Sequence, residues 1–323
     1  MTTTGGRATR MEHVLVVKLG ALGDLVLADG ALRDLRERHR DAHITLLTRR
    51  AFAPLMQRCP WVDAVLADEN APRWRLDRML ALRRRLHAGA FDAAYDLQNS
   101  RRSRFYRQWL SASKTTWSFE GPSRAVGSSV PARHAAQLRA AGLAAAWSER
   151  PSPGWIATDA GALLAQAGLK QPFVALLPGS SARHPEKRWP HHADLAARLT
   201  RDGLVVATIP GIDEPDIANG FEGTVLKPDG RVLGLPELAG VLRQAACAVG
   251  SDSGPTHLAA CLGTPVVALF ARGSPGRVST GIETRGARCL DAPVVAGIPV
   301  DDVRDAVRRQ LAGHGGPASA TRR

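Results

Sequence analysis

The chain has 323 residues, of which 44% are hydrophobic and 23% charged, which is typical of a globular protein, and its length predicts about two domains. It has no apolar run of about 18 residues and no signal-peptide pattern, so we expect no transmembrane helix and a cytoplasmic protein. The net charge of +13 favours binding to nucleic acid, to an anionic membrane or to a phosphorylated substrate, although the sequence contains no zinc-finger or RNA-recognition signature.

Apolar runs alternate with helical patterns in the first half of the chain. Residues 13–18 form a continuous apolar run, as in a buried strand, and apolar residues recur at helical spacing across 24–39. The further predicted elements are a strand at 44–48, a helix at 51–58, a strand at 64–66, a basic helix at 73–87 and a strand at 91–97. This alternation predicts a parallel sheet with right-handed crossovers.

A Pro- and Gly-rich linker at 148–157 precedes a second alternation of the same kind. Its predicted helices lie at 158–168, 191–201, 236–246, from Pro255 onward and at 299–311, and its strands at 173–177, 204–209, 247–250 and 266–270. The sequence therefore predicts two α/β domains, at 1–150 and 151–315, followed by a disordered tail at 316–323.

Three loops that follow predicted strands carry the candidate chemistry. The first contains Gly20 and Gly23, which permit a tight turn, and ends at Asp24. Its spacing is neither that of a dinucleotide-binding loop nor that of a Walker loop. Asp24 can be interpreted as a helix N-cap or as a general base at the end of a strand.

The second and third loops both suit a phosphate. The second combines Ser180 and Ser181 with Lys187 and nearby arginines, as in a diphosphate pocket, although a polar crossover loop is the alternative. The third, 250–257, places a helix N-terminus after a strand, which favours an anion. An ordinary capped turn would explain its Ser, Gly and Pro residues, but not the flanking Asp252 and His257. Other histidines are expected at the surface or at helix ends, namely His39, His134 and His191.

Taken together, the three loops resemble those of glycosyltransferase family nine, the ADP-heptose:lipopolysaccharide heptosyltransferases. The resemblance spans 14–270 and depends on three motifs. These are Gly23-Asp24, Lys187-Arg188-Trp189-Pro190, and Asp252-Ser253-Gly254-Pro255-Thr256-His257-Leu258-Ala259-Ala260 with Gly263-Thr264-Pro265-Val266. The third motif is the most specific to the family.

The resemblance implies a GT-B fold, in which two Rossmann-like domains face each other across a cleft. Residues 1–150 would bind the acceptor and 151–315 the nucleotide-sugar donor. The implied reaction is an inverting, metal-independent transfer of a heptose, or a related sugar, from an ADP-sugar such as ADP-heptose to a lipopolysaccharide core or a similar cell-envelope acceptor. Asp24 would deprotonate the acceptor hydroxyl, while Lys187 and the helix N-terminus after Asp252 would stabilise the departing diphosphate.

Site residues follow from these matches. The expected donor-binding residues are Ser180, Ser181, Lys187, Glu214, Asp252, Ser253, Gly254, Thr256 and His257, with Glu214 suited to a ribose hydroxyl. The expected acceptor-binding residues are Lys18, Gly23, Arg101 and Arg102. We expect no metal and no cofactor beyond the nucleotide-sugar co-substrate, an anionic glycolipid as acceptor, no nucleic-acid partner, and a monomer in peripheral contact with the inner membrane, where the helix at 73–87 could lie on lipid headgroups.

The chain departs from the family pattern in two loops. Residues 19–22 lack the hydroxyl groups of well-known members, and 271–275 read Ala-Arg-Gly-Ser-Pro in place of Gly-Pro-Thr, near the expected donor sugar. Three alternatives therefore stay open. They are a GT-B transferase that uses another nucleotide sugar, a non-catalytic sugar-nucleotide-binding protein of the same fold, and a basic nucleic-acid-binding protein.

Overall fold

The computed structural model describes residues 11–110, 114–120 and 128–314, and the predicted tail at 316–323 lies outside them. The described chain divides into two compact units. Unit 1 contains residues 11–110, 114–120 and 132–149, and unit 2 contains 128–131 and 150–314. Each unit has one parallel sheet accompanied by helices, which confirms the predicted α/β class.

Unit 1 is built on a five-stranded parallel sheet. Its strands are β1 (His13–Val17), β2 (His43–Arg49), β3 (Ala64–Asp68), β4 (Ala93–Asp96) and β5 (Thr116–Phe119), in the order β3-β2-β1-β4-β5. The helices of this half are α1 (Leu22–Leu27), α2 (Asp29–Arg38), α3 (Ala53–Met56), α4 (Leu76–Ala88), α5 (Arg101–Phe105) and α6 (Val130–Ala140), with a π-helical turn at Tyr106–Leu110.

Unit 2 contains a six-stranded parallel sheet in the order β11-β10-β9-β6-β7-β8. Its strands are β6 (Phe173–Leu177), β7 (Val205–Thr208), β8 (Thr224–Val225), β9 (Cys247–Ser251), β10 (Val266–Ala271) and β11 (Arg288–Ala292). Its helices are α7 (Gly161–Gln166), α8 (His192–Arg201), α9 (Leu235–Gln244), α10 (Gly254–Cys261), α11 (Pro275–Thr280) and α12 (Val300–His314). Among the described residues, no helix is both long enough and apolar enough to cross a membrane.

In each sheet, the candidate loops follow the carboxyl ends of central parallel strands. β1 pairs with β2 and β4, and β6 pairs with β9 and β7, all in parallel. Because parallel strands are covered on both faces, these segments are continuously apolar, and every residue of β6 is buried. Their carboxyl ends carry the loops, which is where open α/β sheets bind ligands.

The single helix predicted at 24–39 is wrong, because the chain forms α1 and α2 with a break at Ala28. Distant segments pack at this break. The Trp61 indole N–H donates to the Asp29 carboxylate over 2.9 Å, and Gly30 lies so close to the carbonyl of Trp147 that a Cβ atom would collide with it. These contacts cross long stretches of sequence, so the local helical periodicity does not contain them.

A buried carboxylate in α2 anchors the segment that leaves unit 1. Asp34, 3% exposed, accepts hydrogen bonds from the backbone amides of Trp147 (3.0 Å) and Ser148 (2.8 Å) and from the Ser148 hydroxyl (2.6 Å).

Asp34→Ala should lower the free energy of unfolding by about 1–3 kcal/mol, because buried donors lose their acceptor. Urea unfolding checks this, and the exposed Asp41→Ala should cost less than about 0.5 kcal/mol. Equal stability of the two variants would contradict the anchoring role.

Candidate functional site

The first candidate loop joins β1 to α1. Gly20 adopts a φ of 97°, which strongly favours glycine, and a Cβ atom there would collide with the ring of Phe52. The backbone N–H of Leu19 donates to the side-chain oxygen of Gln98, beyond the end of neighbouring β4, over 2.9 Å. This turn brings the chain into α1 at Leu22, so that Gly23 and Asp24 both lie in the first helical turn.

Asp24 is the third residue of α1 and does not cap it. The N-cap position belongs to Ala21, whose side chain makes no capping hydrogen bond, so the N-cap interpretation of Asp24 is wrong. Its side chain is half-buried, and within the part of the chain that the structure describes no hydrogen-bond donor contacts the carboxylate. An ionised carboxylate with its lone pairs open is what a general base requires.

Lys18 directly precedes this turn and is buried, with 3% exposure. Its ammonium donates to the carbonyl of Leu97 at 3.0 Å and lies 3.4 Å from Nε2 of His134, a histidine that the sequence placed at the surface or at a helix end. Burial lowers the pKa of Lys18 to about 8, although the charge of Asp24 opposes this shift. The structure thus surrounds Lys18 with protein groups, whereas the sequence predicted a contact with acceptor.

The pKa of Lys18 makes a stability prediction. Because the folded-state pKa lies below the unfolded value of 10.5, the unfolded chain holds the proton more tightly, and stability rises with pH between about 8 and 10.5. The free energy of unfolding of the wild type, relative to Lys18→Met, should therefore increase by about 2 kcal/mol from pH 7 to pH 9.5. Urea unfolding of both proteins at both pH values checks this. A difference that stays constant with pH would mean that Lys18 is not held in a desolvated site.

The two arginines expected at the acceptor differ from each other. Arg102, in α5, pairs with the buried Asp68 carboxylate at 3.2 Å and donates to the carbonyl of Ala71 at 3.0 Å. The Tyr106 hydroxyl donates to the same carboxylate at 2.7 Å. Arg102 therefore stabilises unit 1 internally, which the sequence did not predict. The side chain of Arg101 is exposed and remains available to a ligand.

In unit 2, the loop after β6 contains Ser180, Ser181 and Lys187. The Ser180 backbone N–H donates to Oε2 of Glu214 at 3.1 Å, and its hydroxyl donates to the carbonyl of His184 at 3.0 Å. Ser181 is exposed. Glu214 also forms an ion pair with Arg188, and its side chain is only 10% exposed. The sequence-predicted ribose contact, Glu214, is thus fixed against the serine loop.

Asp252, at the end of neighbouring β9, links the second and third loops. Its Oδ2 accepts from the Lys187 ammonium at 2.8 Å, and its Oδ1 lies 3.0 Å from Nε2 of His257. Burial alone would raise the pKa of Asp252, but hydrogen bonds from His257 and Lys187 outweigh burial and hold the pKa at about 2. The ionised carboxylate therefore contributes stability above pH 4, and this contribution is lost as the pH falls toward 2.

The start of α10 follows directly. Ser253 occupies the N-cap position without a capping hydrogen bond, and its hydroxyl lies 3.1 Å from that of the buried Thr256. The first-turn amides near Gly254 consequently lack a side-chain cap, and helix N-termini of this kind attract anions. His257 is also buried and contacts Asp252. Within 250–257, only residues 252–255 are partly exposed, and the others are buried.

Two residues after β10 contact Asp252, although neither was among the predicted site residues: Ser274, in the loop 271–275, and Gly276, in the first turn of α11. The Ser274 hydroxyl lies 3.4 Å from Oδ2 of Asp252, and Gly276 lies so close to the same carboxylate that any side chain would collide with it. The Ser-Pro-Gly sequence at a helix start was the available signal. Among the described residues, no group of three or more His, Cys, Asp or Glu side chains has the arrangement of a metal site.

The chain matches known proteins over most of its length. The family model for glycosyltransferase family 9 (heptosyltransferase) matches residues 79–290, well over half of the chain. Lipopolysaccharide heptosyltransferase 2 of Salmonella typhimurium is 25% identical over 297 residues, which cover 81% of this chain and 83% of that protein. The matched family range contains Lys187 and Asp252, and it begins after Asp24.

Solved structures with the same fold include three members of this group. The glycosyl transferase family 9 protein of Veillonella parvula has a TM-score of 0.75 at 18% identity, covering 94% of this chain and 98% of its own. E. coli ADP-heptose lps heptosyltransferase II has a TM-score of 0.69 at 22% sequence identity, and the match covers 95% of this chain and 100% of that one. E. coli heptosyltransferase WaaC with ADP has a TM-score of 0.71 at 19% sequence identity, and the match covers 92% of this chain and 99% of that one. The fold is that of these proteins, GT-B, as predicted, and the chain belongs to glycosyltransferase family 9, the heptosyltransferase family, and is a glycosyltransferase.

Proposed function

We propose that this glycosyltransferase moves a heptose from ADP-heptose to a lipopolysaccharide-core acceptor, with inversion and without a metal ion. The observation that carries the proposal is the contact of Lys187 and His257 with Asp252 beside the uncapped start of α10. Support also comes from the relative named lipopolysaccharide heptosyltransferase 2 and from the similar fold solved with ADP.

The donor side follows from charge. A nucleotide diphosphate carries negative charge, and on transfer of the sugar that charge grows on the leaving oxygen. Lys187, which is 36% exposed, is the cation that can meet the diphosphate, and the first-turn amides of α10 add further donors. Ser180 and Ser181 lie on the same loop as Lys187 and supply hydroxyl groups to the phosphates. Residues 151–315 are therefore the proposed donor-binding domain.

Glu214 is the proposed contact of the ADP ribose. Its carboxylate is held by the Ser180 amide and by Arg188, which fixes its orientation without a mobile partner. A fixed acceptor of this kind suits a ribose hydroxyl, which donates one hydrogen bond. The proposal makes Glu214 responsible for affinity towards the nucleotide, and not for the chemical step.

The acceptor side requires a base. No described residue donates a hydrogen bond to the Asp24 carboxylate, so it can accept the proton of an acceptor hydroxyl as that oxygen attacks the anomeric carbon. The hydroxyl oxygen attacks from the face opposite the diphosphate, so that the bond to the diphosphate breaks as the new bond forms and the anomeric centre is inverted. Residues 1–150 are the proposed acceptor-binding domain, in which Gly23 permits close approach and Arg101 meets an anionic group.

The remaining parts of the proposal concern the partners. The acceptor is an anionic glycolipid, which agrees with the net charge of +13, and no nucleic acid is required. The enzyme works as a monomer in the cytoplasm, with peripheral contact at the inner membrane. No cofactor beyond the nucleotide sugar is needed, because Lys187 and the amides of α10 supply the positive potential at the diphosphate.

One observation favours a second candidate, a transferase of the same fold that uses a different nucleotide sugar. The loop at 271–275, which departs from the family pattern, contacts the proposed diphosphate site through Ser274 and Asp252. Its Arg272 also pairs with Asp291 of β11 at 3.0 Å. A change of sugar specificity can therefore arise in this loop without loss of the diphosphate contacts.

A donor comparison tests the proposal. The purified chain is mixed with a heptose-containing core acceptor and with ADP-heptose, UDP-glucose or GDP-mannose, and mass spectrometry follows the acceptor. We expect a mass increase of one heptose and release of ADP only with ADP-heptose. Transfer from UDP- or GDP-sugars instead supports the second candidate. Binding of ADP, seen as thermal stabilisation, without any transfer supports a non-catalytic protein.

A further inference from the structure

An exposed apolar cluster lies at the start of α4 in unit 1. Trp74 is 75% exposed, Leu76 is 61% exposed and Leu80 is 43% exposed. Isolated apolar residues are common on protein surfaces, but three large ones within seven residues form a patch. A patch of this kind costs solubility unless it has a partner.

The packing of α4 does not require these side chains. The helix buries Met79, Leu82 and Leu86, which form its contact with the rest of unit 1. Leu76 and Leu80 are four residues apart and therefore share another side of the helix. α4 thus has one apolar stripe that the fold uses and a second that it leaves in water.

Arginines continue the second stripe. Arg83 and Arg84 follow Leu76 by seven and eight residues, so they lie on the same side of the helix, both about one turn beyond Leu80. Both are exposed, and within 11–110, 114–120 and 128–314 neither contacts an acidic side chain. By contrast, Arg75 and Arg78 are paired with Asp77 and Glu69. Arg83 and Arg84 therefore place positive charge without an acidic partner, among the described residues, next to the apolar patch.

A second tryptophan extends the same surface. Trp109 is 39% exposed and stacks on Phe105 with ring centroids 5.2 Å apart. The Arg83 guanidinium lies 6.0 Å from the Trp109 ring centroid, at the limit of a cation–π contact. Two exposed tryptophans, two exposed leucines and two arginines thus lie on α4, directly before it, or on the π-helical turn that α4 contacts.

We propose that this surface, Trp74, Leu76, Leu80, Arg83, Arg84 and Trp109, binds an anionic phospholipid bilayer. We call it the α4 surface. Tryptophan prefers the headgroup level of a membrane, leucine inserts just below it, and arginine pairs with lipid phosphates. The inference deepens the proposed function, because a glycolipid acceptor has to be reached at a membrane. A nucleic acid would use the arginines but would have no place for exposed leucines, so lipid is the better match.

Vesicle flotation tests the α4 surface with donor and acceptor both absent. The full chain should float with phosphatidylglycerol-containing vesicles and not with pure phosphatidylcholine vesicles. The double variants Trp74→Glu/Leu80→Glu and Arg83→Glu/Arg84→Glu should each lose about tenfold or more in vesicle affinity. The first loses two apolar side chains that would be buried in the bilayer, and the second loses two basic residues, each of which contributes about 1 kcal/mol near an anionic surface. Only the arginine variant should also show a weaker salt dependence of binding, because it alone removes positive charge from the α4 surface.

Matched controls lie in unit 2. Ile212→Glu replaces an apolar side chain that is 84% exposed, and Arg309→Glu reverses an exposed arginine in α12. Both should float like the wild type. Equal losses in the control variants, or unchanged flotation of the α4 variants, would overturn the proposal. Binding of random single-stranded DNA that needs Arg83 and Arg84 but not Trp74 and Leu80, without vesicle binding, would assign the surface to nucleic acid.

Failure of the membrane proposal is separable from failure of the proposed function. Transfer to a delipidated, water-soluble core oligosaccharide needs no membrane, so the α4 variants should keep the wild-type rate in that assay. If the wild type floats but transfers no heptose to this acceptor, the membrane surface stands and the proposed function fails. If transfer proceeds while no protein floats, the reverse holds.

Discussion

Asp24→Asn should lower the turnover number for sugar transfer by about 10²–10⁴-fold, while the affinity for the nucleotide-sugar donor stays nearly unchanged. Asparagine keeps the size and shape of aspartate but has no basic oxygen. The carboxylate of Asp24 has no hydrogen-bond donor to satisfy among the described residues, so the substitution leaves no buried donor unpaired. The loss should therefore come from the chemical step and not from unfolding.

The control for this prediction is Asp41→Asn. Asp41 is another carboxylate of unit 1, exposed and without an ion pair in the part of the chain described. Release of the nucleotide diphosphate at saturating donor and acceptor gives the turnover number, and isothermal titration gives the donor affinity. If Asp24→Asn retains more than about a tenth of the wild-type turnover, Asp24 is not the general base, and another group must accept the proton.

The central strands were predictable because they are continuous apolar runs, as expected of strands that are buried on both faces. β6 occupies 173–177, as predicted, and all five of its residues are buried. β8 and β11 were not predicted, and both lie at the edges of the sheet. β8 has only two residues, and most residues of β11 are at least partly exposed. Their identity as strands depends on pairing with β7 and β10, which a local pattern does not reveal.

The candidate site was predictable in position but not in pairing. The positions of Asp24, Lys187 and Asp252, in segments that follow strands, could be predicted from the alternation of strands and helices. The contact of Lys187 with Asp252 joins residues 65 apart, and that of Lys18 with His134 joins residues 116 apart. Such pairs depend on which strands become neighbours in the sheet. For the same reason Arg102 appeared free in the sequence, although it pairs with Asp68.

Lys187→Met should reduce kcat/KM for the donor by about 10²–10³-fold. Methionine has a similar length but no charge, so the diphosphate would lose its cation while the side chain still fills space. A second effect adds to the loss. Without Lys187, the Asp252 carboxylate loses its cation but keeps its contact with Nε2 of His257, and its negative charge repels the phosphates.

The repulsion makes the two residues interdependent, which distinguishes this role from a simple structural one. Asp252→Asn in the Lys187→Met background should restore part of the affinity for ADP, so the losses of the single variants should fail to add by about 0.5–3 kcal/mol. Titration calorimetry with ADP measures all four proteins. Lys170→Met, at an exposed lysine of unit 2, is the control and should bind ADP like the wild type. Strictly additive losses would show that Lys187 and Asp252 act on the nucleotide separately, and that their 2.8 Å contact has no part in donor binding.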